Sequence, residues 1–115
     1  MISREYRFHG HGSLRYVSKN AGAVRSKWFA VKSVANRFRP RSRVAVVVSR
    51  KVHKRAVVRN RIRRRVYEVI RTELPKLTST HDIVVIVTSS EVWLAPSDEI
   101  KAILLEQLGR AGIYN

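Results

Sequence analysis

The chain contains no cysteine among its 115 residues, which excludes disulfides and thiolate-held zinc. No apolar run approaches the roughly 20 residues that a membrane-spanning helix needs. The first residues also have no apolar region of the signal-peptide kind. These absences favour a cytoplasmic protein whose small core depends on packing or on a partner.

Acidic residues are the second shortage. The chain has 8 Asp and Glu against 24 Lys and Arg, a net charge of +16, and no acid lies between Glu5 and Glu68. Residues 1–71 hold 21 basic residues against two acids, whereas residues 72–115 hold three against six. This asymmetry favours one basic surface facing a polyanion, with the C-terminal part closing the fold. Charge alone does not choose between nucleic acid and an anionic membrane surface.

Motifs for protein-based catalysis are also missing. Hydrolysis of a phosphodiester by protein groups needs a positioned base or clustered carboxylates that hold metal ions, and the acids here are sparse. The sequence contains no HExxH, no phosphate-binding loop and no dinucleotide motif. His9 and His11 could hold a metal ion only loosely, and histidines of an exposed arm are the simpler interpretation. We therefore expect no catalytic residue, no metal site and no protein-bound cofactor.

Hydrophobic periodicity predicts one α+β domain over residues 13–115, an α/β sandwich of order αββαβα, after a mobile basic arm over residues 1–12. Aromatic Trp93 is expected in the core, whereas Trp28 and Tyr16 could pack or stack on bases. In the first strand, Phe29 and Val31 share one face, and Trp28 and Ala30 the other. The predicted elements are a helix over 14–20, strands over 27–34 and 44–49, a helix over 56–73, a strand over 82–88 and a helix beginning at Ser97.

The helix over 56–73 has two distinct faces. Its apolar stripe would lie on the sheet and consists of Val58, Ile62, Val66, Val69 and Ile70. The opposite side is predicted to carry Asn60, Arg64, Tyr67 and Arg71. Arg59 and Arg65 lie beside the apolar arc, so their side chains would have to extend to bring the guanidinium groups into solvent. Pro75 is predicted to end the helix. The last helix would pack through Ile100, Ile103, Leu104 and Leu108, and Gly109 or Gly112 would end it.

The segment from Arg50 to Arg65 is the strongest functional signal. Nine of its sixteen residues are Lys or Arg and none is acidic. A solvated helix face normally interleaves Glu with Lys, because like charges three or four residues apart destabilise an isolated helix. Guanidinium groups can hold phosphate oxygens in bidentate fashion. The segment therefore favours an external phosphate-bearing partner.

The order of residues in this segment resembles a known signature. Residues 49–64, S-R-K-V-H-K-R-A-V-V-R-N-R-I-R-R, resemble the pattern of the bacterial ribonuclease P protein component. That pattern is an apolar strand, S/A-K-K, a short loop, an Ala, and R-N-R-x-K-R on a helix. The resemblance covers about residues 13–108 and implies a left-handed βαβ crossover, an exception to the usual hand. It also implies a subunit that joins a large catalytic RNA and helps it remove the 5′ leader from precursor tRNA. The RNA would bind the Mg²⁺ ions and perform the hydrolysis.

The resemblance also implies site residues. Contacts with the RNA subunit would come from Arg50, Lys51, Lys54, Arg55, Arg59, Asn60, Arg61, Arg63 and Arg64. The precursor-tRNA leader cleft would map onto Leu14, Val17, Ser18, Phe29, Val31 and Lys32. Two departures stand out: Leu14, Ser18 and Lys32 occupy places where many members carry aromatic residues, and Arg50 replaces the first lysine of S-K-K.

Other interpretations of the same charge stay open. A structural RNA-binding protein, such as a ribosomal protein, explains the charge but not the ordered motif. A nuclease acting without RNA would need a catalytic carboxylate or histidine. A DNA-binding protein is also possible, because phosphate contacts do not themselves distinguish RNA from DNA.

Overall fold

A computed structural model describes residues 23–35, 42–76 and 81–111. The predicted arm (1–12) and first helix (14–20) lie outside these residues. In chain order the elements are β1 (Ala23–Arg25), β2 (Phe29–Ala35), β3 (Arg43–Val47), α1 (Ala56–Glu73), β4 (His81–Val87) and α2 (Ser97–Arg110), with short 3₁₀ helices over Leu74–Lys76 and Ser90–Trp93.

The four strands form one mixed sheet of order β1-β2-β4-β3. β3 and β4 are parallel and are connected through α1, whereas β2 is antiparallel to both β1 and β4. The α+β class is confirmed, with α1 packed on the sheet. Strand β1 was not predicted, because its three residues are too short for a pattern. The described order is thus βββαβα, and the left hand of the β3–α1–β4 crossover stays a prediction.

Strand alternation divides the sheet into two faces. Register aligns Val31 and Val46 with Val85, so their side chains form one layer. This layer packs under α1 and α2 and forms the main core. On the other face, Ala45 and Val84 form a second, smaller cluster with Val34 and Ile86. The strands β3 and β4 are therefore largely buried on both faces, as their continuous apolar runs predict.

Helix α1 has the predicted bounds and the predicted packing stripe. Val58, Ile62, Val66 and Ile70 are buried, and Val69 is half-buried against the core. The helix ends at Glu73, and Pro75 lies in the 3₁₀ turn that follows. An apolar residue at every third or fourth position was therefore sufficient to predict which side of α1 is buried.

Two aromatic side chains lie elsewhere than predicted. Tyr67 is half-buried, and its hydroxyl accepts a hydrogen bond from the backbone N–H of Val46 at 3.3 Å. Since β3 is an edge strand, the phenol pairs with an amide that no neighbouring strand could reach. Trp28 precedes β2 and joins the same core as Phe29, with the two rings edge to face. The predicted alternation therefore fails at Trp28, because that residue is not yet in the strand.

Helix α2 begins after Pro96 and continues through Gly109 to Arg110. Of the two predicted stops, Gly109 is therefore excluded, and Gly112 lies just outside the described residues. The stripe of α2 includes the fully buried amide of Gln107. Gln107 Nε2 donates to the carbonyls of Val24 at 2.8 Å and Phe29 at 3.1 Å, and its Oε1 accepts from Ser26 Oγ at 2.8 Å. One polar side chain thereby joins α2 to the β1–β2 turn.

Candidate nucleic-acid interface

The loop over residues 48–55 leads from β3 into α1 and is held by hydrogen bonds between its own residues. Val52 N donates to Ser49 O at 3.0 Å, and Arg55 N donates to His53 Nδ1 at 3.1 Å. Helix α1 then begins without a side-chain cap and without an acid in its first turn. The loop cations therefore stand beside the positive end of the helix dipole, which favours an anion there.

Ion pairs are distributed unevenly over the molecule. The structure pairs Lys27 with Glu99, Arg43 with Asp82, Arg71 with Glu68, Lys76 with Glu73, and Arg110 with Glu106. Within the described ranges, none of the nine Lys and Arg residues from Arg50 to Arg65 pairs with a carboxylate. The exposed cations among them are Arg50, Lys51, Lys54, Arg55, Arg61 and Arg64. We call the surface formed by residues 50–65 the basic surface.

Two of the predicted RNA-contacting cations also bond within the protein. Arg59 Nη1 donates to the carbonyls of His53 at 3.0 Å and Lys54 at 2.8 Å. Arg63 Nη2 donates to Asn60 Oδ1. Arg59 thus fastens the loop to the first turns of α1, while Asn60 orients Arg63 along the helix. The structure brings all nine predicted RNA-contacting residues together on one loop and one helix.

Arg65 has a different environment, which the sequence analysis missed as a site. Its Nη1 donates to the carbonyls of Val92 at 2.7 Å and Trp93 at 2.8 Å. Its Nη2 donates to Ala95 O and to Ser97 Oγ, the latter at 3.3 Å. The only sequence signal was the position of Arg65 beside the apolar arc of α1. The guanidinium is therefore directed at the segment between β4 and α2.

The ring of Trp93 connects that segment to the loop. It lies edge to face against His53, with the ring centroids 5.2 Å apart and an interplanar angle of 72°. Trp93 is half-buried against the core. The prediction that Trp93 packs is confirmed, but its partner is a residue of the basic surface.

The predicted leader cleft is divided by the sheet. Leu14, Val17 and Ser18 lie outside the described residues. Phe29 and Val31 are each 0% exposed on the helix-covered face. They cannot line an open cleft, so that part of the prediction is wrong. Lys32 follows Val31 in the strand and is half-buried on the opposite face, because successive strand residues point to opposite sides.

A groove of about 560 Å³ lies between α1 and the start of α2. Its walls include Val69 and Ile100, with Glu68, Asp98 and Lys101 as charged groups. Arg64 contributes both to this groove and to the basic surface. The groove therefore adjoins that surface on the side of α2.

The described ranges offer no obvious metal centre or membrane anchor. They contain no group of three His, Asp or Glu side chains arranged to hold a metal ion. Neither α1 nor α2 is long and apolar enough to cross a membrane.

The fold and this surface define a class: a small basic α+β protein that presents arginines from one loop and one helix. The family model described as Ribonuclease P matches residues 2–112. The chain therefore belongs to the ribonuclease P protein family.

Individual relatives agree with this assignment. The ribonuclease P protein component of Chloroflexus aurantiacus is 39% identical over 107 residues, which cover 90% of this chain and 78% of that protein. That of Chloroflexus aggregans is 33% identical over 110 residues, covering 96% of this chain and 80% of that one. Among solved structures, the RNase P protein from Thermotoga maritima superposes with a TM-score of 0.79 at 27% identity, covering 90% and 96% of the two chains. The RNase P protein of Staphylococcus aureus has a TM-score of 0.83 at 24% identity, covering 96% and 98%, and shows the likeness of fold alone.

Proposed function

We propose that this chain is the protein subunit of a ribonucleoprotein endonuclease that removes the 5′ leader from precursor tRNA. In this role it binds the catalytic RNA through the basic surface and acts in the cytoplasm. The observation that carries the proposal is that nine cations of a ribonuclease P family member have no carboxylate partner within the described residues, whereas five cations elsewhere do.

Phosphate binding by this surface follows from its chemistry. Arg50, Lys51, Lys54 and Arg55 lie on the loop that leads into the start of α1, which has no side-chain cap, and a helix start of this kind favours an anion. Arg61 and Arg64 extend the surface along the exposed side of the helix. Binding RNA would release the counterions condensed on its phosphates, which supplies affinity without base recognition.

We assign the chemical step to the RNA partner. The basic surface would repel Mg²⁺, and a phosphodiester hydrolase normally needs such ions or a positioned base. The contribution of this chain is therefore to bind the RNA, neutralise its phosphates and orient the substrate. Mg²⁺ would be held by the RNA.

The precursor-tRNA leader is the second proposed ligand, and we assign it to the sheet face that carries Lys32. That face presents the half-buried apolar side chains Val34 and Ile86 beside the Lys32 ammonium. Apolar side chains can contact unstacked bases while an ammonium contacts a phosphate. We therefore assign the leader to this face of the sheet and not to the buried Phe29 and Val31.

The RNA that accompanies the protein tests this function against its nearest alternative. The protein would be purified from its own cells under low salt, and the bound RNA would be sequenced. We expect one catalytic RNA to be enriched over a control purification of a variant with Arg61→Gln and Arg64→Gln. Enrichment of ribosomal RNA instead would favour a structural ribosomal role and contradict the proposal.

A further inference from the structure

Among the cations of the basic surface, Arg65 donates to the segment before α2, whereas the bonds of Arg59 and Arg63 stay within the loop and α1. Both terminal nitrogens of Arg65 donate to the protein itself, to three backbone carbonyls and one hydroxyl between Val92 and Ser97. Its neighbour Arg64 is exposed and has no such acceptor within the described residues. A guanidinium with four protein acceptors has little capacity left for a phosphate.

The segment that Arg65 holds is in contact with the loop that carries four of the nine cations of the basic surface. Arg65 fixes the carbonyl of Trp93, and the Trp93 ring packs edge to face against His53. His53 in turn accepts the N–H of Arg55 at its Nδ1 and the Arg59 guanidinium at its carbonyl. A continuous series of contacts therefore connects Arg65 to His53 and Arg55, and the bond from Val52 N to Ser49 O at 3.0 Å closes the turn that precedes His53.

We propose that Arg65 is a positioning residue for RNA binding, which acts through Trp93 and His53. It keeps Arg50, Lys51, Lys54 and Arg55 in the arrangement that the RNA phosphates meet, without contacting the RNA itself. This inference rests on the proposed function of the basic surface as an RNA-binding site.

The physical benefit is preorganisation. Four like charges on a short loop repel one another, so a loop without internal support would separate them in the free protein. Ordering such a loop on binding would cost part of the affinity, since each immobilised long side chain carries an entropy cost. Holding the loop backbone before the RNA arrives removes part of that cost.

The test compares two adjacent arginines that differ in their contacts. Arg65→Lys and Arg64→Lys both keep the charge, and a lysine ammonium at residue 65 cannot span the carbonyls of Val92, Trp93 and Ala95. Binding of the full chain to the cognate catalytic RNA would be measured over a salt series, at a temperature where each variant is folded by circular dichroism. Amide hydrogen exchange of Val52 and Arg55 would be measured in the RNA-free protein.

We expect Arg65→Lys to weaken RNA binding by about 3- to 10-fold with an unchanged salt slope, because no phosphate contact is lost. Exchange at Val52 and Arg55 should become faster in the same variant. Trp93→Leu, which changes no charge, should reproduce both effects, and its combination with Arg65→Lys should add little more. Arg64→Lys should leave the exchange unchanged.

Three results would overturn the inference. A variant Arg65→Ala whose salt slope falls as much as that of Arg64→Ala would show that Arg65 contacts phosphate directly. Unchanged RNA affinity of folded Arg65→Lys would reduce Arg65 to a stabilising contact. Unchanged exchange at Val52 and Arg55 would break the connection through Trp93. Failure of the proposed function would give a different result, because the wild-type protein itself would then not bind the RNA.

Discussion

Individual cations of this protein fall into groups that the sequence alone does not separate. Arg43 is paired with Asp82 within the sheet, and Arg65 is bonded to backbone carbonyls. Arg61 and Arg64 are exposed and form no ion pair with a carboxylate of the described residues. Equal formal charges therefore have different expected roles, because desolvation and partners decide what a guanidinium can still bind.

Arg61 provides the simplest test at this scale. We expect Arg61→Ala to weaken binding of the catalytic RNA about 3- to 10-fold and to lower the salt slope by about 0.7–0.9, the loss of one phosphate contact. The thermal unfolding midpoint should stay close to that of the wild type, because residue 61 is exposed.

Arg110→Ala is the matched control for Arg61, since it removes the same charge from the far end of α2, where Glu106 pairs with it. Its RNA affinity should change little. An equal loss in both variants would mean that net charge, and not the basic surface, governs binding.

His81 gives the protein a dependence of stability on pH. Burial lowers the pKa of His81, and the nearby Asp82 carboxylate opposes part of that shift. The unfolded chain then takes up a proton more readily than the folded one, so stability is full above the ordinary histidine pKa of about 6.5 and decreases as the pH falls below it.

We therefore expect the thermal unfolding midpoint to be lower at pH 5.5 than at pH 7.5. These values lie about one unit on either side of the ordinary pKa of histidine. His81→Gln cannot titrate and should show a smaller fall over the same interval. Identical pH dependence of the two proteins would contradict this role of burial at His81.

At the scale of elements, α1 combines two functions on opposite sides. Its stripe of Val58, Ile62, Val66 and Ile70 is buried on the sheet, and its remaining surface displays the cations. The core contact compensates for the mutual repulsion of the arginines, which would otherwise destabilise the helix.

Substitutions on the two sides of α1 should therefore have separate effects. Ile62 is 0% exposed, so Ile62→Ala should destabilise the fold by about 2–5 kcal/mol in chemical denaturation. Val57→Ala on the same helix is the control, since Val57 is 52% exposed and should change the unfolding free energy by less than about 0.5 kcal/mol. Similar losses in both variants would contradict the assignment of the buried stripe.

The elements that could be predicted from the sequence are those with long regular patterns. The bounds of α1 followed from helical spacing, and β3 and β4 followed from continuous apolar runs. Strand β1 could not be predicted because three residues are too short for a pattern. The burial of Gln107 could not be predicted because its amide bonds to carbonyls that are distant in the chain. The resemblance placed Phe29 and Val31 in the leader cleft, but both are fully buried, because their face of the sheet is the one that the helices cover.

For the candidate site, the sequence predicted which residues form the basic surface but not the hydrogen bonds that some of them make within the protein. The ordered motif identified the basic surface, because phosphate binding requires cations that the chain itself does not neutralise. The bonds of Arg59 and Arg65 to backbone carbonyls were beyond prediction, since their acceptors are set by the folded loop and by the segment before α2. Only their position beside the apolar arc indicated a special environment.

At the scale of the whole molecule, charge is arranged for one partner. The first 71 residues hold 21 of the 24 basic residues, and four of the six acids of the C-terminal part pair with cations outside the basic surface. Among the described residues, ion pairs thus lie outside the basic surface, and the cations of that surface have no carboxylate partner. This arrangement fits a subunit that docks on RNA and leaves the chemical step to that RNA.

Cleavage of a precursor tRNA by its cognate catalytic RNA, at a magnesium concentration too low for the RNA alone, tests this account most directly. We predict that the protein without RNA cleaves nothing, that adding it to the RNA restores 5′ leader removal, and that a variant with Arg61→Ala and Arg64→Ala restores less. No stimulation by the folded wild-type protein would contradict the account, as would cleavage by RNA-free protein that a single carboxylate or histidine substitution abolishes.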